Sequence, residues 1–203
     1  PPSYFPYNVK LNQEGYDDLS EVIKRSKNAF SIENFEKKMS TKEVKVLDVR
    51  QYDEFCLGHI PNSIFIGIDG GFAPWVGAIF SDVSQPILLV VDELRIEETI
   101  IRLSRIGFDN VLGYLKGGFQ SWKQKKPCDK VNSIHSNQIF SNQFENAKIL
   151  DVRSSSELES VGKVIGAQNI SLQNLSNQID NLEKNSEYLV FCAGGYRSVI
   201  ATS

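Results

Sequence analysis

Histidine and cysteine are scarce in this chain: two histidines, His59 and His135, and three cysteines, Cys56, Cys128 and Cys192, among 203 residues. Two histidines are too few for most histidine-based metal sites, and no metal site is read. Three cysteines cannot all pair with one another, and no C-x-x-C spacing occurs, so neither a zinc knuckle nor a disulfide framework is indicated. A reducing compartment fits this usage, and the chain reads as cytoplasmic. Long apolar runs are lacking too, which excludes a membrane-spanning helix of ordinary length. No basic-then-apolar segment opens the chain. Positive charge is not in excess: the formal net charge of -3 disfavours nucleic acid and anionic membranes as partners. The glycines show neither Walker nor Rossmann spacing, so no nucleotide cradle is read. An initiator methionine is missing as well, and a chain starting Pro1-Pro2 reads as a fragment of something larger.

What is present is an ordinary globular composition, 41% hydrophobic and 23% charged. The length allows one large or two small domains. Residues 1–30 open with Tyr4-Phe5-Pro6-Tyr7, continue polar, and reach a short helix read around Tyr16–Arg25. They are expected to be a connector, the tail of an upstream domain. A domain-like pattern runs from 31 to 126. Ser31 is read as a helix cap. Val44–Val49, Ile64–Ile68, Ile87–Val91 and Val111–Tyr114 read as strands, and Gln51–Leu57, Trp75–Phe80 and Glu93–Ile106 as helices. The last carries Ile96, Ile100, Leu103 and Ile106 at helical spacing. Strands alternating with helices imply an α/β architecture, a mostly parallel sheet with helices on both faces. Residues 127–134 are polar and read as a linker, and a second domain is expected over 135–203.

The second domain repeats the first. Ile149-Leu150-Asp151-Val152-Arg153 echoes Val46-Leu47-Asp48-Val49-Arg50, each followed by a glutamate, Glu157 or Glu54. The segment from Gly162 to Ile170 echoes that from Gly58 to Ile66, and Leu189-Val190-Phe191-Cys192 echoes Leu89-Val90-Val91-Asp92. Only 11 residues follow Cys192, where the first copy runs on from Asp92 to Trp122. The second copy is therefore expected to be incomplete at its C-terminus.

The stretch with most chemistry is Cys192-Ala193-Gly194-Gly195-Tyr196-Arg197-Ser198. An apolar strand ends on a cysteine, a tight glycine loop follows, and a helix starts near Ser198. Converging backbone N–H groups, a helix start and Arg197 all favour a thiolate. The bland reading of Cys192 is a buried structural cysteine at a strand end. Cys56 and Cys128 read as incidental, His59 as a turn residue, and Trp75 and Trp122 as core or interface residues. Repetition of the Asp-x-Arg pattern points to local charge pairs with a structural role.

Asp-Val-Arg, Gly-His-Ile-Pro, Cys-Ala-Gly-Gly-Tyr-Arg-Ser and Gly-Gly-Phe-x-x-Trp together resemble a tandem of rhodanese (thiosulfate sulfurtransferase-like) domains over about residues 31 to 203. The opening Pro1–Tyr7, Leu11–Gly15 and Phe72–Ala78 are further similar to fusions in which a metallo-beta-lactamase-fold domain precedes two rhodanese domains. The resemblance implies that Cys192 carries sulfane sulfur as a persulfide, taken from a small donor and passed to a thiol or cyanide. It implies that the amides of Ala193, Gly194, Gly195, Tyr196 and Arg197 cradle the persulfide or the donor's anionic group, that Arg197 closes the loop, and that Ser198 holds it. Asp151, Arg153 and Glu157 match a structural charge network. No cofactor is implied, and the expected partners are a small sulfur donor, a thiol acceptor and an upstream metallo-hydrolase-like domain.

Departures from that pattern carry their own expectations. Asp92 stands at the cysteine position of the first copy, where a carboxylate forms no persulfide, so that copy is read as catalytically silent. Two other functions remain open: a cysteine phosphatase or arsenate reductase on the same fold, and a non-catalytic docking or regulatory module. Loop length speaks against the phosphatase, because four residues separate Cys192 from Arg197 where a tetrahedral oxyanion calls for five.

Overall fold

Apolar runs that alternate with helical stretches build two units, residues 1–130 and 131–203. The computed structural model describes residues 18–139 and 144–203. The predicted Tyr4–Tyr7 and Leu11–Gly15 segments lie outside the described residues.

In the first unit the described elements run α1 (Leu19–Ser26), β1 (Ala29–Phe30), α2 (Ile32–Met39), β2 (Lys45–Asp48), α3 (Tyr52–Leu57), β3 (Ile64–Phe65), α4 (Phe72–Ile79), β4 (Ile87–Val90), α5 (Ile96–Ser104), β5 (Val111–Leu115) and α6 (Gly118–Lys123). The strand order is β1-β5-β4-β2-β3, parallel throughout. Central β4 is Ile-Leu-Leu-Val with every residue at 0% exposure, which is why it shows no polar alternation: both faces of the sheet are covered. Phe35, Leu88, Val90, Phe119 and Trp122 pack into one cluster. Each such side chain contributes roughly 1.5–3 kcal/mol by leaving water.

Three features of this unit add to the expectations. Residues 18–30, within the expected connector, carry regular structure. Helix α1 packs on α5 and β5, and β1 pairs with β5 through Ala29↔Tyr114 and Phe30↔Leu115. A two-residue strand is too short to show a period, so the sequence hides it. The start of the linker is held as well: Pro127 O accepts from Trp122 Nε1 at 3.0 Å, and Asp129 exchanges backbone hydrogen bonds with His59 at 2.9 and 3.0 Å. Polar side chains there conceal a backbone held at Pro127 and Asp129. Finally, the helix expected from Glu93 begins as a 3₁₀ turn, Glu93–Arg95, because the Asp92 carboxylate accepts from Leu94 N at 2.8 Å and starts the turn early.

The second unit has β6 (Lys148–Asp151), α7 (Ser155–Val161), β7 (Gln168–Asn169), α8 (Leu172–Gln178), β8 (Tyr188–Phe191) and α9 (Tyr196–Thr202). Its parallel order β7-β6-β8 repeats β3-β2-β4. The two Asp-x-Arg motifs do the same thing in both. Asp48 and Asp151 end their strands buried, and the guanidinium two residues on folds back bidentately. Arg50 Nε and Nη2 reach Asp48 at 2.9 and 2.6 Å, and Arg153 reaches Asp151 at 3.0 and 2.6 Å. The same Nη2 donates to Gly58 O at 2.9 Å or Gly162 O at 3.2 Å. One bridge thus ties strand end to helix end, which explains the shared spacing. The units differ in cover: β8 sits at the sheet edge and is half-buried. Val164 is 40% exposed, whereas Ile60 at the matching position of the first-unit turn is 0% exposed.

Candidate active site

Strand β8 delivers Cys192 to the end of the sheet, half-buried, and the chain turns at once through exposed Ala193 and Gly194 into Gly195. Gly195 has φ 86°, a conformation that a side chain resists, and this twist aims its N–H at the sulfur, 3.1 Å away. A thiol proton on Sγ is directed at Ser198 Oγ, 3.8 Å away, while the Ser198 hydroxyl donates to Gly195 O at 2.7 Å. Burial pushes the Cys192 thiol up. The amides of Gly194, Ser198 and Gly195 outweigh it, and the pKa lies below the ordinary cysteine value. A Cβ at Gly194 or Gly195 would meet nothing within 4 Å, so both glycines border open space.

Arg197, in the first turn of α9, lays Nη1 and Nη2 on the two oxygens of Glu157, each at 2.6 Å. Glu157 accepts in addition from Ser154 N at 3.0 Å and Ser154 Oγ at 2.9 Å. Arg197 foremost, then Ser154, holds its carboxyl far below the usual carboxylate range. The three residues expected to form one charge network are therefore divided. Asp151 and Arg153 form the strand-end bridge, and Glu157 joins the loop through Arg197. Two supporting residues escaped the sequence reading. Ser154 heads a capping box with Glu157, and the Ser-x-x-Glu spacing was the available signal. Asn169 donates to Asp151 O at 2.9 Å and Arg153 O at 3.0 Å; nothing in the sequence marked it.

The first unit offers no thiol at this place, but the equivalence with Asp92 needs correction. In the sheets, Asp48 pairs with Val90 and Asp151 with Phe191. The strand register therefore sets Val91, not Asp92, against Cys192. Counted back from the helices, Asp92 matches, so the first loop is one residue longer. Asp92 caps the 3₁₀ turn, and Glu93 accepts from Gly117 N at 2.9 Å.

The model of the family described as "Rhodanese-like domain" matches residues 31–125 and 136–203. This chain belongs to the rhodanese-like domain family. A protein from Buchnera aphidicola subsp. Schizaphis graminum, described as uncharacterized, is 28% identical over 87 residues, 43% of this chain and 58% of its own length. The chain thus matches little more than half of that curated relative. Among solved structures, the Alr3790 protein from Anabaena sp. is 21% identical with a TM-score of 0.45, covering 58% of this chain and 92% of its own. Thiosulfate sulfurtransferase from Pseudomonas aeruginosa is 16% identical with a TM-score of 0.40, covering 88% of this chain and 41% of its own. Among the described residues of this rhodanese-like pair, no group of three or more His, Cys, Asp or Glu is placed to hold a metal ion, and no helix is long and apolar enough to cross a membrane.

Proposed function

We propose that the second rhodanese-like domain is a sulfurtransferase that carries sulfane sulfur as a persulfide on Cys192. The observation that carries this reading is the half-buried sulfur under the Gly195 N–H, with its pKa lowered by loop amides. Sulfur exchange between thiols calls for a thiolate and an open approach, and little else. The thiolate attacks the outer sulfur of a donor, the donor's S–S bond breaks, and its electron pair leaves with the donor thiolate or sulfite. An acceptor thiol or cyanide then takes the outer sulfur and restores Cys192. The first domain, with Val91 and Asp92 at the strand end, serves as a scaffold or docking surface. In a fusion with a metallo-hydrolase-like domain, and in a reducing compartment such as the cytoplasm, the pair would handle small persulfides for its neighbour.

The test is intact mass after incubation with thiosulfate or a thiol hydropersulfide. The unaltered chain is expected to gain one sulfur atom that cyanide removes, and Cys192→Ala to gain none. Turnover of an aryl phosphate without sulfur uptake would replace this reading with the phosphatase. Neither reaction, with Cys192 unreactive, would leave the docking module.

A further inference from the structure

Resting on that reading, we propose that Glu157 makes the Cys192 loop selective for sulfane donors of low charge, hydropersulfides of the RS–SH type, against the dianion thiosulfate. The observation is where the charge of Arg197 goes. Between Cys192 and Ser198, Arg197 is the sole cationic side chain, and its Nη1 and Nη2 lie on the Glu157 oxygens at 2.6 Å each. That is the bidentate arrangement a guanidinium otherwise offers to an oxyanion. The other nearby guanidinium, Arg153, is spent on Asp151. With Cys192 as thiolate, the side chains of Cys192, Arg197 and Glu157 together carry a net charge of -1, from two negative groups and one positive.

Both donors can react in balanced steps. Cys192–S⁻ and RS–SH give Cys192–S–SH and RS⁻: the new S–S bond forms as the old one breaks, and the electron pair leaves on the R-bearing sulfur. Cys192–S⁻ and thiosulfate give Cys192–S–S⁻ and sulfite. The second reaction brings a dianion onto a site of like charge and must release another from it, with the guanidinium already occupied. Backbone N–H groups suffice for one sulfur atom, but they do not compensate two charges. Like-charge juxtaposition of this kind is how a site rejects a wrong partner.

Glu157→Gln separates the charge from the structural role, because glutamine still accepts from Ser154 in the capping box. The measurement is the second-order rate constant for loading Cys192, followed by intact mass, with thiosulfate and with mercaptoethanol hydropersulfide. E157Q is expected to shift the ratio of the thiosulfate constant to the hydropersulfide constant at least about tenfold toward thiosulfate, while Glu157→Asp keeps the discrimination. Equal effects on both donors, or none, would overturn the filter and leave Glu157 as a cap only. If E157Q fails to fold, the unaltered chain decides. Its thiosulfate constant must rise as the Debye length shrinks to about 3 Å near 1 M salt, with the hydropersulfide constant flat; two flat lines reject the proposal. If no donor loads the unaltered chain, the sulfurtransferase reading itself is lost.

Discussion

Val91 stands in the first sheet where Cys192 stands in the second. Each follows the strand residue whose carbonyl accepts, at 3.0 Å, from the residue after the buried aspartate: Val49 N to Val90 O, and Val152 N to Phe191 O. Val91 is 2% exposed, whereas Cys192 is half-buried. A cysteine placed in the first unit is therefore expected to fail at either equivalent position. Val91→Cys would be buried, and Asp92→Cys would lose the cap on Leu94 N and sit beside Glu93. Neither variant, made on a Cys192→Ala background, should gain sulfur from a hydropersulfide; an adduct on either would show that the first loop can support the chemistry.

The cysteines differ in the direction of their acidity. Burial, then the charge of Asp53, pushes the Cys56 thiol up, while the loop amides bring Cys192 down. Alkylation by iodoacetamide near neutral pH is expected to modify Cys192 well before Cys56, and the Cys192 rate should level off at lower pH. Peptide mapping over time checks the order, which the opposite result would contradict.

Glu157 predicts an acid-sensitive second unit. Its folded pKa lies below the ordinary value of 4.5, so the unfolded chain takes up the proton first. The stability it contributes is complete above that ordinary value and is lost as pH falls through the folded one. The melting-temperature gap between the unaltered chain and E157Q should be largest near neutral pH and narrow below about pH 4. A gap independent of pH would mean that the Arg197 pair contributes nothing.

The Asp48–Arg50 bridge, the first unit's counterpart of Asp151–Arg153, is buried, with Asp48 at 0% side-chain exposure and Arg50 at 12%. Asp48→Asn leaves the guanidinium without its charge partner and is expected to cost about 3–5 kcal/mol. Both tryptophans, Trp75 and Trp122, lie in this unit, so urea denaturation followed by their fluorescence reports on it alone.

Gly194 and Gly195 are neighbours with unequal tolerance. Neither has an atom within 4 Å of a built Cβ, but Gly195 alone has a positive φ, 86°. Gly195→Ala should cost about 1–2 kcal/mol and slow alkylation of Cys192 as its N–H turns from the sulfur. Gly194→Ala should stay within about 0.5 kcal/mol. Thermal melts with paired alkylation rates would show it.

Local chemistry was legible in the residues alone. The α/β repeat, the Ser31 cap, the glycine loop after an apolar strand and the paired Asp-x-Arg motifs all act within a few positions of themselves, so spacing reveals them. The sequence by itself determined that there is one candidate thiol loop and that the first copy lacks it. Tertiary structure decided the rest. Arg197 and Glu157 lie 40 residues apart and meet because β8 and β6 are neighbours in one sheet. The equivalence of Val91 with Cys192 follows from strand register, and the one added residue in the loop after it leaves no trace in composition. Strand β1 and the Asp129–His59 bridge depend on backbone groups whose partners lie far along the chain, and side-chain patterns carry no record of them.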